Sequence, residues 1–189
     1  MTVYTTLVGL INAKSYSAGA EIIECLVKTL KDAVRGNEFE RSRLLLCGLA
    51  DLYNCHAVSP SYIVSVFNNL VDVSTEESIP QARSDWYAYM VMSVLPWVGR
   101  ELFATRETDV RQLMMSIETY IGKRQKQYVP LLRVWSIDDP HPQLDYMDSL
   151  WLQLHSSWQR DRWQENILLR PYKTFFSREL RQGKHRIFL

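Results

Sequence analysis

The sequence predicts an all-α fold, a HEAT-like stack of antiparallel helix pairs. Apolar residues recur at intervals of three or four along nearly every segment, the period of a helix buried on one side. Start and stop signals for helices punctuate the chain at short separations. Helix pairs return about every 40 residues, the spacing of a stacked repeat.

The elements follow in order. Residues 2–11 predict a short helix with Tyr4, Leu7, Val8 and Ile11 on one side. Residues 19–35 carry Ile22, Ile23, Leu26, Leu30 and Val34 on a face, and Gly36 then suits the left-handed stop position. Residues 38–55 repeat the pattern through Leu45, Leu46, Leu49 and Leu52. Ser59-Pro60 is a start signal, a capping side chain before an N1 proline, for a helix to about residue 73 with Ile63, Phe67, Leu70 and Val71. The segment 79–103 is the most informative. Pro80 suits a first turn, and Ala82, Trp86, Met90, Val94 and Trp97 mark a broad apolar face, with Trp86 and Trp97 read as core residues. Pro96 has no N–H to donate and crowds the carbonyl of Met92, which predicts a kink or a fresh helix start. A further helix is predicted over 107–127, through Leu113, Ile117, Tyr120 and Ile121. Pro130, Pro140 and Pro142 make 128–143 a long loop. Residues 144–156 return to helix through Leu144, Met147, Leu150, Trp151 and Leu154. Short connections make neighbouring helices antiparallel hairpins.

Composition narrows the function. At 189 residues and 47% hydrophobic the chain suits one domain with a sizeable core. Its 22 basic and 21 acidic residues leave a net charge of +1, which argues against a chain built mainly to grip nucleic-acid phosphates or an anionic membrane. Cys25, Cys47 and Cys55 are odd in number and sit on apolar helical segments, so they read as reduced core thiols in an intracellular protein. No apolar run approaches the roughly 20 residues of a membrane span. Residues 1–11 lack the positive start and small-residue cleavage site of a secretory signal.

Several blocks carry a resemblance. Trp97-Val98-Gly99-Arg100-Glu101-Leu102 and Asp161-Arg162-Trp163-Gln164-Glu165 are the most specific, because nothing about generic helices requires them. Leu49 to His56, Val129 to Trp135 and Pro140-His141-Pro142-Gln143 extend the likeness, which runs from about Val3 to Tyr172. The chain resembles the first helical domain of the large subunit of the nuclear cap-binding complex. That domain is of the type of the middle domain of translation initiation factor 4G, an array of antiparallel helix pairs. The resemblance implies a helical scaffold over 1–173 and a divergent segment over 174–189. Residues 177–189 mix charge with a lone apolar end, Ile187-Phe188-Leu189, and are expected to pack poorly.

The resemblance also implies a role. In the family the large subunit is a nuclear scaffold for the small subunit that holds the 7-methylguanosine cap on RNA polymerase II transcripts. The implied partners are the small cap-binding subunit, RNA-processing and export adaptor proteins, and capped RNA indirectly, with no membrane. The family's cap-stacking residues belong to the small subunit, which docks on the second and third helical domains, so none maps onto this chain. The family's basic import segment is also absent from it. The leading reading is a non-enzymatic scaffold serving splicing, export and nonsense-mediated decay. The rival is a stand-alone helical adaptor that docks an RNA helicase or a translation factor.

No catalytic pattern competes. The sequence has no Cys-x-x-Cys, no His-Glu-x-x-His, no Gly-x-Ser-x-Gly and no phosphate-cradling glycine loop, and no cofactor is expected. Cys55 and His56 are adjacent, so their side chains diverge. His141 sits between two prolines, with no nucleophile readable around it. Two basic groups are candidate contacts for RNA phosphates or an acidic partner. Lys123, Arg124 and Lys126 end a helix, where the plainer reading is interaction with the negative end of its dipole. Arg160, Arg162 and Arg170 lie near Trp158 and Trp163, a mixture able to hold a peptide or a base. The plainer reading there buries Trp163 and pairs the arginines with Asp161 and Glu165.

Overall fold

A computed structural model of the chain describes residues 2–126, 145–159, 175–181 and 187. Among them the helices are α1 (Thr2–Lys14), α2 (Tyr16–Arg35), α3 (Phe39–Asn54), α4 (Pro60–Ser74), α5 (Gln81–Lys123), α6 (Tyr146–Gln159) and α7 (Ser177–Arg181). α1 packs on α2, α2 on α3, and α5 against α3, α4 and α6, while α7 lies on α1. The all-α expectation holds for these residues. The long loop expected over 128–143 lies outside them.

The centre of the fold is α5. A straight helix of its 43 residues would run about 65 Å. Gln81 nevertheless donates from Nε2 to the carbonyl of Gln125 at 2.5 Å, and accepts from the Gln125 N–H at 3.3 Å. The two ends therefore meet, and the chain doubles back. Arg106 is the hinge, with φ −143° and ψ 50° inside otherwise helical backbone. Two arms result, 81–105 and 107–123, close to the two helices the periodicity predicts. Thr105 closes the first arm by donating to the Glu101 carbonyl at 2.9 Å. Glu107 and Asp109 open the second with negative charge at the positive end of a helix.

No fresh helix start falls at Pro96. The helical dihedrals continue through it, and the reversal falls at Arg106. Asn54, at the end of α3, donates from Nδ2 to the carbonyl of Trp97 at 3.0 Å, tying that stretch to its neighbour. Met90, Val91, Met92, Val94 and Leu95 are all fully buried. Tyr89, Ser93 and Trp97 along the remaining side are half-buried and Arg100 is exposed, so this helix is enclosed over most of its circumference and keeps one narrow outer side. Trp86 and Trp97 sit at its margin, partly buried against the core, and Ala82 is exposed.

Two further expectations need correction. Gly36 is right-handed at φ −74°, and Asn37 takes the left-handed position at φ 56°. The Glu38 N–H then reaches the Ala33 carbonyl at 2.9 Å and the Asn37 N–H the Val34 carbonyl at 3.3 Å, the paired closure of a Schellman stop. The left-handed stop thus falls one residue later than the glycine predicts. In α1, Tyr4 is 75% and Leu7 53% exposed, whereas Thr5, Thr6, Gly9 and Asn12 are buried. Close approach explains the inversion, since small side chains let α1 lie against its neighbours. A Cβ on Gly9 would come within 2.8 Å of Cys55 Cβ. The Thr6 hydroxyl is satisfied within the helix, donating to the Thr2 carbonyl at 2.6 Å. Ser59 caps α4 as expected, its hydroxyl accepting from the Tyr62 N–H at 3.2 Å.

The cysteines divide. Cys55 is buried and Cys47 half-buried, but Cys25 is exposed and is not a core thiol. Within the divergent tail Leu180 and Ile187 are buried, at 3% and 2% exposed, while Arg178, Glu179 and Arg181 are exposed. No described helix is long and apolar enough to cross a membrane.

Two glycines should respond in opposite directions. At Gly19 a Cβ would lie 2.5 Å from Asn12 Oδ1 and 2.8 Å from Asn12 Cα, so Gly19→Ala must push α1 and α2 apart. At Gly122 nothing lies within 4 Å. Gly122→Ala should add about 0.5–1 kcal/mol from the entropy of the unfolded chain. Urea denaturation should show the midpoint falling for the first variant and rising for the second.

Candidate contact site

The basic run at the end of α5 was the first candidate for contact with a partner, and the structure divides it. Lys123 is exposed. Lys126 is 53% exposed at its side chain and places Nζ 2.8 Å from Asp148 Oδ2. Arg124 is not available to a partner, because its side chain is 3% exposed.

The Arg124 guanidinium lies between two carboxylates. Nε donates to Asp85 Oδ1 at 2.7 Å and Nη2 to Asp85 Oδ2 at 3.0 Å. Nη1 donates to Asp145 Oδ1 at 2.8 Å and Nη2 to Asp145 Oδ2 at 3.3 Å. Both pairs are two-pronged, the geometry that planar guanidinium matches best. Asp85 comes from the first arm of α5 and also accepts from the Tyr120 hydroxyl at 2.7 Å. Asp145 precedes α6 and accepts from the Met147 N–H at 2.9 Å, so the same carboxylate caps that helix. Burial alone would lower the guanidinium pKa, but the hydrogen bonds and charges of Asp85 and Asp145 outweigh it and hold the group above its ordinary value.

The second candidate, around Trp158, keeps its chemistry but changes its members. Arg160, Arg162, Arg170 and Trp163 lie outside the described residues. Trp158 packs edge-on against Phe103 with ring centroids 5.0 Å apart. The cation is Arg111 of the second arm, 5.4 Å from the Phe103 ring and 5.5 Å from the Trp158 ring. Glu107 accepts from the same guanidinium, at 2.6 Å from Nη2. Trp158 is thereby engaged with α5 rather than presented as an open stacking platform.

A row of rings passed unnoticed in the sequence. Phe39 meets Trp86 at 5.1 Å, Trp86 meets Tyr89 at 5.2 Å, and Tyr89 meets Tyr146 at 5.9 Å. It runs from α3 across α5 to α6, with both ends about half exposed, Phe39 at 47% and Tyr146 at 51%. Trp86 and Tyr89 lie three apart on one helix, a local signal, but nothing local points to Phe39 or Tyr146. Among the described residues no group of three or more His, Cys, Asp or Glu could hold a metal ion.

The buried groups set a direction for pH dependence. Burial, then the hydrogen bond and charge of Asp85, push the Tyr120 phenol well above its ordinary value. Burial, then the charge of Asp51, does the same to the Cys55 thiol. In the unfolded chain such groups ionise near ~8.5 for thiol and ~10 for phenol. The folded chain keeps them protonated, so the unfolded chain loses protons first and stability falls as pH rises. Thermal unfolding should be insensitive to these groups below about pH 8 and move to lower temperature between about pH 9 and 11. Tyr120→Phe should flatten the upper part of that fall.

Comparison with known proteins places this geometry. Residues 1–157 match the MIF4G domain family. The chain is 44% identical over 177 residues to "Nuclear cap-binding protein subunit 1" of Rattus norvegicus and of Homo sapiens. It is 46% identical over the same length to the protein of that name from Xenopus tropicalis. Each alignment takes in 94% of this chain and 22% of the relative, so the chain spans about a fifth of the length of these relatives. With an all-helical stack and a family match across most of its residues, the chain belongs to the MIF4G domain family.

Proposed function

We propose that this chain is a non-enzymatic scaffold of the nuclear cap-binding complex, of the large-subunit type. Its scaffold body would span residues 1–173. The observation that carries the reading is identity of 44–46% across 94% of the chain to proteins named as subunit 1 of that complex. On this reading the chain acts in the nucleus by presenting helix faces to other proteins. A small subunit holds the cap, and adaptors link the transcript to splicing, export and nonsense-mediated decay. Lys123 is the exposed cation of the α5 end, Lys126 is ion-paired with Asp148, and Arg160 and Arg162 remain candidates beside them.

The four described tryptophans favour a scaffold over a cap binder. Holding a methylated base needs two rings free to sandwich a cation. Trp86 is packed between Phe39 and Tyr89, Trp158 against Phe103 and Arg111, and Trp151 is 8% exposed. Trp97 packs partly buried against the main core.

The chain should therefore not be retained on a 7-methylguanosine column, alone or with the small subunit added. Affinity capture from nuclear extract should recover RNA-processing or export adaptors. Saturable quenching of its tryptophan fluorescence by micromolar cap would make the chain a cap binder and end the scaffold reading. Recovery of an RNA helicase or translation factor instead would favour the stand-alone adaptor.

A further inference from the structure

The reversal inside α5 lacks the residues that usually break a helix. Sharp breaks fall at proline, at glycine, or where a side chain or water intrudes. From Arg100 to Ile121 the sequence holds neither glycine nor proline. The bend is carried by Arg106 alone, at φ −143° and ψ 50°, with helical backbone before and after it. Ala104, Thr105, Arg106, Glu107 and Thr108 are all exposed, so the bend lies in solvent. The side-chain pairs around it suit an unbroken helix. Arg106 donates to Asp109 and Arg111 to Glu107, at separations of three and four residues.

What closes the hairpin lies at its far end. Gln81 meets Gln125, and Asp85 takes both the Tyr120 hydroxyl and the Arg124 guanidinium. Val110, Leu113 and Ile117 of the second arm are buried in the main core. Each of these contacts requires an antiparallel second arm beside the first. None requires that both arms come from the same chain.

We propose that Arg106 is an exchange hinge: the residue turns helical, α5 straightens, and two copies of this chain trade their second arms together with α6 and α7. A closed hairpin is antiparallel. Two straightened α5 helices related by a two-fold axis at Arg106 are antiparallel as well, so the first arm of one copy receives the second arm of the other in the same register. Arg124 of one copy then pairs with Asp85 of the other in the geometry seen within one chain. The straightened bend gains helical hydrogen bonds, and Ala104, Arg106 and Glu107 are good helix formers. Dilute solution favours the closed form, because its arms face one another at millimolar effective concentration. Exchange requires the arms to separate, so the two forms interconvert slowly. This inference does not depend on the cap-complex reading and would survive its failure.

The test refolds the full chain from urea at about 5 µM and at about 500 µM, the second approaching that effective concentration. Size-exclusion chromatography with light scattering should show monomer at the lower concentration and a dimer fraction at the higher. In the dimer, amides of residues 106–110 should exchange at least about 10-fold more slowly than in the monomer, having joined a continuous helix. Arg106→Gly weakens the helix at both hinges of a dimer and should raise the concentration at which dimer appears at least about 10-fold. Monomer at both concentrations overturns the proposal. So does a dimer whose bend amides exchange as they do in the monomer, which is two closed chains in contact, and so does a dimer indifferent to Arg106→Gly. If the chain does not refold, native protein warmed at about 500 µM is read in the same way, with the same outcomes.

Discussion

The buried guanidinium of Arg124 is the interaction on which the rest of this fold depends. Removing an ion from water costs several kcal/mol, and only complete pairing offsets that. Here Asp85 and Asp145 supply four acceptor contacts to one cation that is 3% exposed. The three residues come from places far apart in sequence: the first arm of α5, its far end, and the entry to α6. Each carboxylate does something further, Asp85 accepting from Tyr120 and Asp145 capping α6. One ion thereby sets how the α5 hairpin closes and where the next helix begins.

That closure explains the burial around it. Once α5 folds back at Arg106, its first arm lies against its own second arm as well as against the neighbouring helices. Met90, Val91 and Met92 are then buried in succession, with Tyr89 and Ser93 half-buried on the remaining side. The aromatic row from Phe39 to Tyr146 and the Phe103–Trp158–Arg111 cluster join the same hairpin to α3 and α6. Side chains that the sequence offers as candidate contacts, Arg111's neighbour Trp158 and Arg124 among them, thus join the helices to one another instead.

What was legible in the sequence was local. Apolar periodicity located the helices, and the Ser59-Pro60 pair marked the start of α4 because a cap needs only its next few residues. The break before residue 107 was visible where the apolar pattern of one helix lapses. Errors arose where distant chemistry decides. Arg124 sits between two ordinary polar neighbours in a basic run, and nothing near it announces Asp85 or Asp145. α1 leaves Tyr4 and Leu7 outward because Gly9 and Asn12 permit close approach to Cys55 and Gly19, a contact no periodicity encodes. The stop after α2 moved by one residue because Asn37 tolerates left-handed backbone and leaves Gly36 right-handed. Leu180 and Ile187 gave too short an apolar signal to reveal that they are buried.

A double-mutant cycle on Arg124→Met and Asp85→Asn, read by urea denaturation, tests the central claim most directly. Arg124→Met strands the buried carboxylate of Asp145 and the half-buried one of Asp85 and should lose about 3–5 kcal/mol. Adding Asp85→Asn to it should then cost much less than Asp85→Asn costs alone, a coupling of at least ~1 kcal/mol. Strictly additive losses, or an Arg124→Met protein that unfolds at the unaltered midpoint, would show that the fold does not hang on this ion.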